Sequence, residues 1–116
     1  MDFSAPPALY GHPGMMTPED AYLMSINTCL HMMVLWAMKP FKLELISLEC
    51  AAEGEVEEHI DKTSWFNKVV LHPQIAVRGG SEAVVRRALE MAKKYSTIAE
   101  SVKSQIIIKP EIEIVR

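Results

Sequence analysis

The first long stretch of one character runs from Ala21 to Met38, which contains no Asp, Glu, Lys or Arg. Thr17-Pro18-Glu19-Asp20 stands directly before it. Thr17 is suited to cap a helix, Pro18 to its first position, and the two acids to the positive end of its dipole. The helix is expected to reach about Met38, where Lys39 complements its C-terminus and Pro40 ends it. A span of the bilayer needs ~20 apolar residues, but Ser25, Asn27, Thr28 and His31 interrupt this one. A helix apolar on nearly every side is then a buried central one. From about Lys42 to Ala52 the period changes to two, with Ile46, Leu48, Cys50 and Ala52 alternating against Ser47 and Glu49. Leu43 and Leu45 fall on the opposite parity, which predicts a bulge or a late strand start.

Residues 53–64 are charged, include Gly54 and read as a solvated connection. A second strand is expected from about Trp65 to Val77, with Trp65, Val69, Leu71, Pro73, Ile75 and Val77 on one side. Pro73 predicts an edge position or an irregularity, because it has no amide to donate. Gly79-Gly80-Ser81 then turns the chain, with Ser81 as a cap, into a helix over about Glu82 to Tyr95. That helix buries Val84, Val85, Ala88, Leu89 and Ala92 and wets Arg86, Arg87, Glu90, Lys93 and Lys94. A last strand, about Gln105 to Val115, alternates Ile106, Ile108, Ile112 and Ile114 against Lys109, Glu111 and Glu113. The expected order is α-β-β-α-β: an α+β domain over residues 17–116, with a long buried central helix against an antiparallel sheet. Residues 1–16, with three prolines and two glycines, read as an irregular arm.

Composition narrows the function classes. The chain has 116 residues, 49% hydrophobic and 23% charged, which is one globular domain. A net charge of −3 gives no electrostatic footprint for nucleic acid or anionic membrane. An RNA-binding KH-like module would also need a Gly-x-x-Gly loop between helices, and none is read. Two cysteines exclude a disulfide scaffold, and no Cys-x-x-Cys pair or zinc spacing is present. Free thiols fit a reducing compartment, so a cytoplasmic protein is expected, without signal peptide, cofactor or metal.

Cys29 is the residue with chemistry to offer, because a thiolate is a strong nucleophile. Its helical neighbours are Ser25, Ile26, Met32 and Met33, with Tyr22 and Trp36 beyond. None is cationic, and an inert core thiol is the plain alternative. Glu19 in a first turn is ordinarily a dipole complement. Ten residues of helix span ~15 Å, so Glu19 does not touch Cys29 of its own chain. Two such helices packed antiparallel would bring them together across a dimer. Cys50 lies on the apolar parity of its strand and reads as core. His31 points to another helix face than Cys29.

The order of elements, the Thr17-Pro18-Glu19 start and a cysteine ten positions after Glu19 resemble the osmotically inducible and organic hydroperoxide resistance (OsmC/Ohr) family. The Ala92-Lys93-Lys94-Tyr95 helix end and the isoleucine-rich tail are similar as well. The resemblance implies a homodimer that reduces organic hydroperoxides with Cys29 as thiolate and Glu19 in support. In the family a second cysteine resolves the first; a one-cysteine cycle in this chain would be reset by an external thiol, with a slender apolar substrate pocket read at Tyr22, Met33 and Trp36. This chain departs from the family twice. The family's N-terminal strands and the arginine they bring are not read here: no arginine precedes Arg78. The family's second cysteine falls at Ser96, followed by Thr97. Two readings follow: a one-cysteine or degenerate hydroperoxide reductase, or a non-enzymatic dimer that binds a small apolar ligand in the same crevice.

Overall fold

The computed structural model describes residues 16–115. Of the arm expected over residues 1–16, only Met16 falls among them. Helix α1 spans Pro18–Ala37 and begins as expected. Thr17 Oγ1 accepts from the Asp20 amide at 3.0 Å, and Asp20 Oδ2 accepts from the Thr17 amide at 3.1 Å. This reciprocal box satisfies two amides that a helix start leaves unpaired.

Strands β1 (Glu44–Glu58) and β2 (Ser64–Arg78) form a long antiparallel ladder. The register shifts between Leu45 and Ser47, so Ile46 is the extra residue of the expected bulge. The connection expected over 53–64 is mostly strand, and only residues 59–63 turn the chain. The charges misled because their partners come from across the ladder. Glu57 accepts from Trp65 Nε1 at 3.0 Å, Glu55 from Asn67 Nδ2 at 3.3 Å, and Glu53 meets His72 Nε2 at 2.7 Å. Gly54 is needed within this ladder: a Cβ there would lie 2.5 Å from the Phe66 ring.

Gly79 and Gly80, at φ 86° and 72°, turn the chain into α2 (Glu82–Lys94), capped by Ser81. A short helix not foreseen in the sequence, α3 (Thr97–Ser101), follows, capped by Ser96. The last strand is in two pieces, β3 (Gln105–Ile108) and β4 (Glu111–Val115), both parallel to β2. The order is therefore α-β-β-α-α-β-β, and the sheet is mixed rather than antiparallel. The cause is the α2–α3 crossover, which returns the chain to the same end of the sheet, as a parallel connection requires. Pro73 sits in the interior strand, at an irregularity: β3 pairs with Lys68–Leu71 and β4 with Gln74–Arg78, leaving Pro73 in the gap.

The core lies between one sheet face and the helices. Val69, Leu71, Pro73, Ile75 and Val77 of β2 meet Ile26, Leu30 and Val34 of α1 and Val85, Ala88, Leu89 and Ala92 of α2. Each large aliphatic buried there contributes about 1.5–3 kcal/mol relative to exposure. Helix α1 is buried along one stripe only, not all round. Its far side leaves Met24, Met32 and Leu35 exposed, Met32 at 68%, and Trp36 is exposed at the edge of a flank. No helix of the described residues is long and apolar enough to cross a membrane.

A candidate redox site at Cys29

Helix α1 carries Tyr22, Cys29 and Trp36 at intervals of seven, close to two turns, so the three share one flank. That flank runs along the segment from Tyr95 to Ser104, and each residue meets a partner there. Tyr22 Oη lies 2.7 Å from Ser104 Oγ, which donates to the Phe66 carbonyl, and the Tyr22 ring stacks on Phe66 at 5.1 Å. The Trp36 ring meets Tyr95 edge to face at 5.6 Å. Between them, Ser96 Oγ donates to Cys29 Sγ at 3.1 Å.

Ser96 is wholly buried, whereas Cys29 is half-buried. The position of Ser96 is set locally. Helix α2 closes through Tyr95, whose amide bonds the Met91 carbonyl at 3.1 Å, and the Ser96 amide bonds Lys93 O at 3.2 Å. Extended backbone at Ser96 then starts α3, and its hydroxyl accepts from the Ala99 amide at 3.2 Å. One hydroxyl thus caps a helix and holds a sulfur 67 residues away in sequence.

The other candidates are placed as follows. Met33 is partly buried and packs against the core. Glu19 lies in the first turn with its Oε2 buried and without a hydrogen-bond partner among the described residues. His31 is on another face, where it lines a depression of about 340 Å³ with Asn27, Thr28 and Met32. Cys50 sits in β1 opposite Pro73 and packs against the core, as read from its parity. Burial pushes its thiol above the ordinary 9.0, and a backbone hydrogen bond from His72 works against that rise. Asn27 of α1 donates to the Cys50 carbonyl at 2.9 Å. Both cysteines are free thiols. No group of three or more His, Cys, Asp or Glu able to hold a metal ion occurs among the described residues.

The described arginines are engaged elsewhere. Arg78 faces Glu44 at 3.6 Å, Arg86 pairs with Glu82 at 2.8 Å, and Arg87 lies over the Phe41 ring. Sequence reasoning therefore assigned Cys29 a setting of apolar helix neighbours and missed its polar contact. Helical spacing reports only neighbours on the same helix, while Ser96 arrives from the far end of the chain.

The family model for the OsmC-like proteins matches residues 11–111. This chain belongs to the OsmC-like family. Its fold is close to that of an OsmC-like protein of unknown function from Vibrio cholerae, with a TM-score of 0.81 at 20% identity, over 92% of this chain and 74% of that one. An organic hydroperoxide resistance protein, OsmC, from Legionella pneumophila superposes with a TM-score of 0.73 at 14% identity, over 97% and 80% of the two chains. An organic hydroperoxide resistance protein from Elizabethkingia anophelis gives 0.74 at 15%, over 96% and 78%. At these identities the likeness is one of fold. No curated protein matches the sequence. Within this OsmC-like chain, Ser96 is where the sequence resemblance placed the family's second cysteine, and it is the residue in contact with the first.

Proposed function

We propose that this OsmC-like chain is a thiol-dependent reductase of organic hydroperoxides that works with one cysteine, Cys29. The observation that carries the proposal is the 3.1 Å hydrogen bond from a wholly buried Ser96 to the Cys29 sulfur. Sulfur attacks as the thiolate, and a buried hydroxyl at hydrogen-bond distance is a donor that can partner that charge and fix where the sulfur sits. The thiolate attacks the outer oxygen of the hydroperoxide, the O–O bond breaks, and the alcohol leaves with the remaining proton. Cys29 is oxidised by two electrons to the sulfenate and the peroxide is reduced. A first external thiol condenses with the sulfenic acid, releasing water and leaving a mixed disulfide. A second thiol displaces it, restoring Cys29. Ser96 has no thiol, so it forms no disulfide with Cys29. The cytoplasm, a reducing compartment, would supply the external thiols.

The working unit in this reading is a homodimer. Met24, Met32 and Leu35 leave an apolar strip on α1, and a two-fold partner offers the same strip in return. Antiparallel α1 helices would bring the partner subunit's Glu19 toward Cys29. The organic group of the peroxide would lie along the apolar flank of Tyr22, Met33 and Trp36.

The test is consumption of cumene hydroperoxide with a dithiol present, by the wild type and by Cys29→Ser. The proposal expects turnover in the first and none in the second. Equal rates would overturn it. The non-enzymatic reading, a dimer that holds a small apolar ligand, expects no turnover in either and saturable binding of an apolar fluorescent probe.

A further inference from the structure

We propose that Ser96 is the positioning residue of this site: capping α3 orients its hydroxyl so that its single proton is presented to the Cys29 sulfur. The inference deepens the one-cysteine reading and rests on it. A serine hydroxyl has one proton and two lone pairs. The Ala99 amide occupies a lone pair at 3.2 Å, so the oxygen is held where the helix start needs an acceptor. The sulfur lies 3.1 Å from the same oxygen. The side chain is wholly buried, so no solvent competes for that proton. A short helix of low intrinsic stability thereby aims a donor at a nucleophile on another helix. Ser96 touches the sulfur and not the peroxide in this arrangement, and it acts through Cys29.

The geometry makes an experimental signature that a merely structural role would not produce. A donor to sulfur favours the anion but also lowers its nucleophilicity, with a Brønsted slope of about 0.4–0.5. Removing the hydroxyl should therefore slow alkylation of Cys29 by iodoacetamide on the limb where the rate still climbs with pH. It should speed alkylation on the alkaline plateau, so the two profiles cross. Taking the usual strength of a hydrogen bond to a charged group, the slowing is about three- to twentyfold. Loss of packing alone would expose the sulfur and raise the rate at every pH.

Alkylation is followed by peptide mass at Cys29 in the full chain, for wild type, Ser96→Gly and Ser96→Ala. Glycine caps a helix nearly as well as serine, and alanine does not. The proposal expects both variants to show the same crossed profile, although Ser96→Ala melts lower. Rates that match the wild type, or that follow the melting temperature, would overturn it. Should Ser96→Ala fail to fold, Ser96→Gly decides alone. Ser96→Cys supplies a second measurement of the contact. Diamide should take the two thiol hydrogens and leave one S–S bond between positions 96 and 29; absence of that bond in a folded variant would also overturn the proposal. None of these readouts uses peroxide. An altered alkylation profile without peroxide turnover would sustain the positioning role and sink the peroxidase reading.

Discussion

The two cysteines sit in two differently built regions. Cys29 lies where two helices meet a capping serine, and a side-chain hydroxyl donates to its sulfur. Cys50 lies within a continuous ladder, where its sulfur faces the Ala51 carbonyl at 3.8 Å and burial dominates its chemistry. Both are half-buried, so burial alone does not separate them. What separates them is who supplies the polar partner. A strand must spend its amides and carbonyls on its neighbours. A helix start has amides to spare, and the residue that satisfies them can face a second group at once.

The largest effect expected from breaking this contrast is in turnover. Cys29→Ser should reduce hydroperoxide consumption to the rate of the dithiol alone, while Cys50→Ser keeps most of it. Loss in Cys50→Ser only would reverse the assignment. Next in size is the assembly that would complete the Cys29 region. Met32→Glu places a charge on the strip proposed to meet the partner, and an uncompensated buried charge costs about 3–5 kcal/mol. The wild type should show a thermal midpoint that rises with protein concentration. The variant should lose that dependence and fall at least about tenfold in turnover, or fail to fold; a fully active, stable monomer by light scattering would refute the shared site.

A smaller effect is read by mass. One equivalent of peroxide should put one oxygen on Cys29 as the sulfenic acid, which dimedone traps as a thioether with loss of water, while Cys50 keeps its S–H. A Cys29–Cys50 disulfide in good yield would erase the distinction between the two regions.

The smallest effect is in stability at high pH. The Cys50 thiol is raised in the folded state, so the native chain holds that proton longer than the unfolded one. Its contribution is full below the ordinary thiol value and is lost as pH rises through the folded value. Thermal scans at about pH 8 and about pH 10 should show a larger drop in wild type than in Cys50→Ala. Equal drops would mean that burial does not govern this thiol.

Much of the frame was legible because local chemistry dictated it. Thr17, Pro18 and Asp20 fixed the start of α1, the parity change after Leu45 marked the bulge, and Pro73 marked the gap between β3 and β4. The length of β1 was not legible, because Glu53, Glu55 and Glu57 look like loop until Trp65, Asn67 and His72 are set opposite them. Helix α3 was missed because five residues carry too little periodicity to read. The parallel return of the tail was missed because alternation gives faces and not directions. The site was half legible. Cys29 and Ser96 were each singled out, but the bond between them depends on the crossover that the pattern does not show.

That crossover also sets when the site comes into being. The β1–β2 ladder joins segments close in sequence and can form early, whereas parallel pairing must first close a long loop. Ser96 reaches Cys29 only once α2 and α3, the two parts of that crossover, have packed on α1. A chain that has made only the ladder should therefore show Cys29 without its hydroxyl companion, and should gain the pair when the crossover packs. Pulsed alkylation during refolding should find the Cys29 alkylation rate changing when the amides of α2 become protected from hydrogen exchange, and no change at that stage would separate the contact from the crossover.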